Sequence, residues 1–240
     1  MANPLDQFII KTILPINVGN VDASFTNSSL LMVIAVAVVT LFLTRSMRER
    51  KLVPGRWQSV AELTYQFVGN MVRTNAGSGG KPYFPFIFSL FMFILMGNML
   101  GMIPYSFTFT SHIIVTLAMA LMVFIGTTVV AFAKHGVKFF SFFLPHGTPW
   151  YIAPVLVPIE ILSYFTRPVS LSLRLFANLT AGHTLLKVFT GFVFAMGLAG
   201  VIPLAASVAL TGLEFLLAFL QAYVFAVLSC IYLHDALHMH

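Results

Sequence analysis

Residues 82–133 read PYFPFIFSLFMFILMGNMLGMIPYSFTFTSHIIVTLAMALMVFIGTTVVAFA and contain no charged side chain. An α-helix needs about 20 apolar residues to cross the hydrocarbon core of a bilayer, so this stretch has room for two spans. Pro104 cannot continue a helix and separates them. The stretch therefore predicts transmembrane helices at 85–103 and 111–132, and with them a polytopic membrane protein.

The composition of the whole chain supports this class. Its 240 residues are 59% hydrophobic and only 8% charged, whereas an ordinary soluble domain has roughly 25% charged residues. A water-soluble globule is excluded. Further charge-free runs cover 23–44, 139–159, 188–213 and 215–234, which predicts about six membrane-embedded segments in all. The first of these spans is expected at 27–44.

The basic residues that give a net charge of +6 lie in loops beside the spans. Five of them follow the first span directly, namely Arg45, Arg48, Arg50, Lys51 and Arg56. Positive charge in the inner loops is typical of membrane proteins. It predicts an outer lead-in at 1–25, inner residues 45–83, an outer turn at Pro104 and an inner loop at Lys134–His146. Nucleic acid is not expected as a partner, because phosphate binding needs basic residues clustered on one face.

Residues 56–75 differ from the spans because apolar and polar side chains alternate with a helical period. The apolar positions, three or four residues apart, are Trp57, Val60, Leu63, Phe67 and Met71. This pattern predicts an amphipathic helix lying in the membrane interface.

The C-terminal part of the chain predicts two unusually long helices, at 156–196 and 204–236, separated by a Gly- and Pro-containing break at 197–203. Forty helical residues measure about 60 Å, about twice the thickness of the hydrocarbon core. We therefore expect two strongly tilted helices that form a hairpin inside the membrane. Together with the upright spans they make residues 1–240 a single all-α membrane domain.

Polar groups within the first long helix are the candidates for function. A charge buried in a membrane is costly and by default marks a functional site. Arg174 lies among leucines near the middle of this helix. Ser170, Arg174 and Asn178 share one helix face, and Glu160 lies within about 40° of it.

A second set of candidates lies towards the hairpin turn. His183 follows Arg174 by about 13 Å along the helix axis and points to a different face. In the second long helix, Glu214 and Gln221 are seven residues apart and share a face. An antiparallel hairpin brings His183 and Glu214 to similar distances from the turn, so we expect these two side chains to meet.

The residue types indicate a proton path interrupted by a fixed cation. Arginine stays protonated and cannot relay a proton, but it holds a positive potential and binds carboxylates. His, Glu and hydroxyl groups can relay protons. A cation between two polar pockets blocks direct leakage and favours deprotonation of a carboxylate presented by a partner. This arrangement is that of two separate half-channels.

These residues also carry a resemblance to a known family. The run PVSLSLRLFANLTAGH at 168–183, with Glu160 before it and LEFLLAFLQAYVFAVL at 213–228 after it, resembles subunit a of F-type ATP synthases. The run GNMLGMIPY at 97–105 fits the same family. The resemblance covers most of the chain, and its Arg-Leu-x-x-Asn core with a downstream Gln is specific.

The resemblance implies a proton-translocating stator subunit with no cofactor or metal. It implies that Arg174 faces a carboxylate on a ring of c subunits, and that peripheral-stalk b subunits and the lipid bilayer are the other partners. The outer proton path is implied for His183, Glu214, Asn178 and Gln221. The inner path is implied for Glu160 and Ser170.

One departure narrows the resemblance. Many bacterial members carry Glu at the position of His183 and His at that of Glu214, whereas mitochondrial-type members have the exchange found here. This suggests an alphaproteobacterial or organellar relative, in a bacterial inner membrane or a mitochondrial inner membrane. The chain has no Walker-type loop, so we expect no ATP hydrolysis by this chain alone.

Two other classes remain open from the residues themselves. One is a self-contained secondary transporter with a midplane site at Arg174, although no internal repeat is evident. The other is a membrane enzyme that uses His234 and His238, which are four residues apart, to hold a metal. We expect no metal there, because a zincin pair needs Glu beside the first His and Asp235 is an imperfect substitute.

Overall fold

The computed structural model describes residues 10–15, 17–18, 21–22, 24–48, 53–103, 107–136, 139 and 152–238. Helices dominate this part of the chain. Their bounds are Asn27–Ser46 (α1), Arg56–Ala76 (α2), Phe84–Gly101 (α3), Ile113–His135 (α4), Ala153–Ala195 (α5) and Val201–Leu237 (α6). Short 3-10 turns at Ser78–Tyr83, Phe109–Ser111 and Gly197–Gly200 connect them. Most of the predicted inner loop at Lys134–His146 and the first nine residues lie outside the described residues.

The lead-in before α1 contains four very short strands. Thr12–Leu14 (β1) pairs antiparallel with Phe25–Thr26 (β4), and between them Asn17–Val18 (β2) pairs with Val21–Asp22 (β3). The hydroxyl of Thr26 then accepts a hydrogen bond from the backbone N–H of Ser29 and caps α1. The lead-in is thus a small hairpin that ends directly in the first helix.

The predicted class, an all-α polytopic membrane protein, is confirmed. Among the described residues, four helical segments are long and apolar enough to cross a membrane: Asn27–Ser46, Ser78–Gly101, Ile113–His135 and Val201–Leu237. Helix α5 is not among them because it carries charged side chains along its length.

The charge-free runs at 188–213 and 215–234 do not form separate segments. The break lies at Gly197–Gly200, and α6 continues through Glu214 without interruption. A charged residue ends a membrane segment only when it must reach water. Glu214 instead lies within 3.1 Å of His183 on α5, so the helix can continue past it.

Helices α5 and α6 form an antiparallel hairpin. Gly197 adopts a positive φ of 56° at the turn, a conformation that favours glycine. The two helices are tied by His183 to Glu214 near the turn and by Arg167 to Asp235 at the far end. At 43 and 37 residues, both exceed the roughly 20 residues that span a bilayer upright. Their tilt relative to the membrane stays a prediction.

Helix α2 has two different halves. Its first half keeps an apolar stripe exposed, with Trp57 at 72% and Leu63 at 64%. Its second half buries Val68, Met71 and Val72 in the core formed with α3 and α6. An exposed apolar stripe on an amphipathic helix is the surface that a lipid interface would cover.

Helix α3 packs against α6 through a buried amide as well as through apolar side chains. The Asn98 side chain is fully buried, and its Nδ2 donates a hydrogen bond to the carbonyl oxygen of Ala218 at 3.1 Å. Interhelical hydrogen bonds of this kind contribute about 0.6 kcal/mol on average inside membranes. Asn98 is thus a structural link between two helices.

The ends of α4 and α6 meet on one side of the molecule. Lys134, in the last turn of α4, donates from Nζ to the carbonyl oxygen of Leu237 at 2.9 Å. A cation at this place satisfies a helix-end carbonyl and interacts favourably with the helix dipole. The C-terminal end of α6 therefore lies on the side of Lys134, which the distribution of basic residues predicts to be the inner side.

The turn between α3 and α4 is held against α3 at two glycines. A Cβ at Gly97 would collide with the ring of Phe109, and a Cβ at Gly101 would lie 2.6 Å from Cγ2 of Thr108. Only glycine allows this close approach. It places the Thr108 hydroxyl at the edge of the α5–α6 hairpin.

Candidate functional site

The centre of the candidate site is a buried acid–base pair between the two long helices. His183 on α5 is 8% exposed and Glu214 on α6 is 3% exposed. Their Nδ1 and Oε1 atoms lie 3.1 Å apart. The contact predicted from the hairpin is confirmed.

The second ring nitrogen of His183 faces the outer turn. Its Nε2 lies 3.2 Å from Oγ1 of Thr108, and this hydroxyl donates to the carbonyl oxygen of Gly101 at 3.3 Å. Because a hydroxyl has one hydrogen to donate, Thr108 then accepts from Nε2–H of His183. In that tautomer Nδ1 carries no hydrogen and faces the Glu214 carboxyl group at 3.1 Å.

Further hydroxyl groups line the space between His183 and the outer turn. Ser111 donates from Oγ to the carbonyl of Thr108 at 2.6 Å, and Thr180 donates to the carbonyl of Ser111 at 3.3 Å. His112 stacks on Phe107 nearby, and burial lowers the pKa of His112 below its usual value. The end of the hairpin near the Gly197 turn is therefore lined by polar side chains.

Thr108, Ser111 and Thr180 did not emerge as candidates from the sequence. A signal was present, because TFTSH at 108–112 places several polar side chains between two strongly apolar spans. Turns are commonly polar, however, and nothing in the periodicity indicates that this turn folds back onto α5.

Gly182 provides the space that the Glu214 carboxylate occupies. A Cβ at this position would lie 2.9 Å from Oε1 and 3.3 Å from Cδ of Glu214. The absent side chain next to His183 thus allows the carboxylate to reach the imidazole.

Arg174 is placed very differently from the acid–base pair. It is exposed, as is Ser170 one turn before it, and its guanidinium forms no hydrogen bond or ion pair with any described residue. It lies close enough to the Tyr232 hydroxyl to influence it electrostatically. A cation without a counter-charge on an apolar helix is expected to meet an anionic group of a partner.

The remaining candidates are distributed over both helices. Asn178 is half-buried on α5, Gln221 is buried on α6 at 5% exposure, and Glu160 is half-buried near the start of α5. None of the three forms a side-chain hydrogen bond with Arg174 or with the acid–base pair within the described residues. The structure thus brings His183 and Glu214 together and leaves the other candidates apart.

A second charged contact lies at the end of the hairpin opposite the Gly197 turn. Arg167 donates from Nη1 to Oδ2 of Asp235 at 3.0 Å, and its guanidinium lies over the rings of Tyr164 and Tyr232 at 5.6 and 5.2 Å. The Tyr164 hydroxyl is 2.7 Å from Oγ1 of Thr128 on α4. This set of contacts joins α4, α5 and α6 on the N-terminal side of Arg174 along α5.

His234 and His238 lie side by side at the end of α6, with ring centroids 4.5 Å apart. Within the described residues no group of three or more His, Cys, Asp or Glu side chains could hold a metal ion. The two rings lie beside the turn after α2, where a Cβ added at Gly77 would lie 4.0 Å from His234 and one added at Gly79 would lie 3.9 Å from His238. This is packing at the inner end of the bundle.

Comparison with known proteins agrees with the motifs around Arg174. The family model described as ATP synthase A chain matches residues 28–234. The ATP synthase subunit a of Paramagnetospirillum magneticum is 58% identical, with 100% of both chains covered. That of Rhodospirillum rubrum is 54% identical, again over 100% of both chains. That of Parvibaculum lavamentivorans is 56% identical over 99% of this chain and 94% of its own length.

These relatives are alphaproteobacterial, as the exchange of His and Glu at positions 183 and 214 suggests. The family match covers more than half of the chain, including the helices that carry Arg174, His183 and Glu214. The chain belongs to the ATP synthase A chain family of polytopic membrane proteins.

Proposed function

We propose that this chain is the proton-translocating stator subunit of a rotary ATP synthase in a bacterial inner membrane. The observation that carries the proposal is the separation of two features on one helix. Arg174 is exposed and has no counter-charge among the described residues, while the His183–Glu214 pair is buried about 13 Å further along α5. The exposed guanidinium suits contact with a carboxylate of a partner, and the buried pair suits a proton relay.

The outer path begins at the polar turn between α3 and α4. Thr108 contacts His183, and His183 contacts Glu214. A proton passed along this series reaches the middle of the hairpin, where Asn178 and Gln221 are the next polar side chains towards Arg174. From there it is delivered to a carboxylate on the c-subunit ring.

Arg174 separates this path from the inner one. A cation within about 4–6 Å of a carboxylate lowers the carboxylate pKa by one to three units, so a ring carboxylate facing Arg174 is held deprotonated. It takes up a proton on one side of Arg174 and loses it on the other after nearly a full rotation. Because arginine itself does not release its proton, protons cannot pass directly between the two paths.

The inner path is proposed for Glu160 and Ser170. Glu160 lies about 21 Å from Arg174 along the helix axis, towards the start of α5. It is half-buried and forms no ion pair within the described residues, whereas Ser170 is exposed one turn before Arg174. Both are on the inner side of Arg174, opposite to His183.

The exposed face around Arg174 is proposed to meet the ring. Ala177 and Ala181 are exposed on the same face as Ser170 and Arg174, and small side chains let helices approach closely in membranes. Peripheral-stalk b subunits are the other proposed partners. ATP chemistry takes place elsewhere in the complex, because this chain has no phosphate-binding loop.

The exposure of Arg174 also argues against a self-contained transporter. Such a protein encloses its midplane site between its own repeats. Here the guanidinium is exposed on the surface of the chain. Its anionic partner is therefore expected to belong to another subunit.

Disulfide formation with the ring tests the proposed interface. Ser170→Cys is expected to crosslink to a c subunit that carries a cysteine one turn from its ion-binding carboxylate, because position 170 is exposed. Ser172→Cys is the matched control, since Ser172 is on the same helix and only 1% exposed. The native Cys230 is buried and contributes little background. Crosslinking is measured in the assembled complex after mild oxidation.

Equal crosslinking at positions 170 and 172 would contradict the proposed interface. The absence of crosslinking at both positions, in a complex that contains the ring, would also contradict it. The exposed face of α5 would then not contact the ring.

The space next to Glu214 offers a second test. Gly182→Ala is expected to slow proton uptake from the outer side severalfold, because the new Cβ would displace the Glu214 carboxylate from His183. Gly191→Ala on the same helix is the matched control, since its Cβ would meet nothing within 4 Å. Uptake is measured as ATP synthesis driven by an imposed pH gradient in vesicles. Equal rates in the two variants would show that the contact is not part of the path.

A further inference from the structure

An open groove of about 520 Å³ lies between the end of α1 and the start of α2. Arg45, Arg48 and Arg56 line it together with Ser46 and Trp57. No acidic residue is among its described lining residues. At roughly 30 Å³ per water molecule, the groove has room for a group much larger than a single phosphate.

The three arginines of this groove have no counter-charge among the residues that the structure describes. None of their guanidinium groups forms an ion pair or a hydrogen bond with a described residue, and all three residues are exposed. Three like charges around one space repel each other unless an anion lies between them. Arginine binds phosphate through two parallel N–H donors, which makes a phosphate group the best-fitting anion.

Apolar side chains continue from the groove along both helices. On α1, Leu41 lies one turn before Arg45 and is 67% exposed. On α2, Val60 and Leu63 follow Arg56 by one and two turns and are also exposed. Each helix therefore carries an arginine at the end of an apolar stripe. An occupant that fits both parts has an anionic head and apolar tails.

The membrane placement of the groove agrees with such an occupant. It lies where the first span ends, among the basic residues that predict the inner side. Trp57 packs edge-on against Phe42 with ring centroids 6.2 Å apart, and indole rings are enriched at the level of lipid headgroups. Basic clusters directly beside a span bind anionic lipid.

We propose that the groove formed by Arg45, Arg48, Arg56 and Trp57 binds a glycerophospholipid with an anionic headgroup. The guanidinium groups hold the phosphate, and the acyl chains follow the exposed stripes of α1 and α2. The lipid fastens the first half of α2 to the end of α1, across the segment that connects them. This site is independent of the proton path proposed above.

Photolabelling of the assembled complex in vesicles tests this site. The probe is a phosphatidylglycerol with a photoreactive group in its acyl chain, and the comparison is the same probe with a phosphatidylcholine head. We expect the phosphatidylglycerol probe to label residues 37–46 and 56–67 preferentially. Unlabelled phosphatidylglycerol competes, whereas inorganic phosphate does not, because phosphate lacks the acyl chains.

Charge-removing variants measure the contribution of each arginine. Arg45→Gln, Arg48→Gln and Arg56→Gln are each expected to weaken competition by phosphatidylglycerol about fivefold, and the triple variant about a hundredfold. Arg73→Gln is the matched control, because Arg73 is exposed on the same helix about 25 Å away. The altered side chains are exposed, so assembly is expected to be normal and is checked by the subunit content.

Three outcomes would overturn the proposal. Equal labelling by the phosphatidylcholine probe would show that the headgroup charge is not recognised. Displacement by inorganic phosphate would identify a soluble anion as the occupant. An equal loss of labelling in Arg73→Gln would show general attraction of anionic lipid to the inner surface rather than a site in the groove.

Discussion

An Arg174→Ala variant is expected to lose ATP-driven proton pumping while the c-subunit ring still assembles. Removing the guanidinium takes away one to three units of pKa lowering at the facing carboxylate. Proton release then slows roughly tenfold to a thousandfold, since each unit is a factor of ten. Arg174→Lys keeps the charge but loses the paired donors, so an intermediate rate is expected. Pumping is measured by dye quenching in vesicles that contain the reconstituted complex.

Arg73→Ala provides the control for loss of an exposed arginine. Arg73 is exposed in the last turn of α2, and its removal is expected to leave pumping unchanged. Full pumping by Arg174→Ala in a complex of normal composition would sink the half-channel proposal. Loss of the ring from that complex would instead indicate a role in assembly.

In the acid–base pair between α5 and α6, exchanging the two residues is expected to reduce activity less than removing one titrating group. Glu214→Gln removes a titrating group and should lower ATP synthesis driven by a pH gradient roughly a hundredfold. The double variant His183→Glu with Glu214→His keeps one carboxylate and one imidazole in contact at the same place. Its rate should therefore return to within severalfold of the parent.

The two single variants provide the comparison that decides this prediction. His183→Glu alone opposes two carboxylates, and Glu214→His alone opposes two imidazoles, so both should be slow. Their combined effect is then strongly non-additive, as expected for groups in direct contact. If the double variant is no faster than the slower single variant, the 3.1 Å contact is structural and does not carry protons.

The long hairpin and its central contact could be predicted from the sequence because they follow from local rules. The helical period places Arg174 and Ser170 on one face, and the break at Gly197 sets the centre of an antiparallel pair. Because His183 and Glu214 lie at similar distances from this break, their contact could be predicted. The all-α membrane class followed in the same way from the lengths of the charge-free runs.

What the sequence could not predict depends on contacts between distant segments. Thr108 reaches His183 only because Gly101 lets the outer turn pack closely on α3. The Arg167–Asp235 contact joins residues 68 positions apart. The sequence around either residue contains no pattern that indicates the other as its partner.

The position of Arg174 within the hairpin has a mechanical consequence. It lies at the midpoint of α5, which runs from Ala153 to Ala195. On one side of it the helix is joined to α6 by the turn at Gly197, and on the other side it is tied by Arg167 and Asp235. A helix that is held on both sides of its midpoint bends far less under a sideways force at that point than a helix held at one end. In the proposed complex, a rotor turning past Arg174 would push sideways on α5, and the two contacts would hold the guanidinium in place against that force. The stiffness of this helix, as well as its charge, would then contribute to the torque that such a complex transmits.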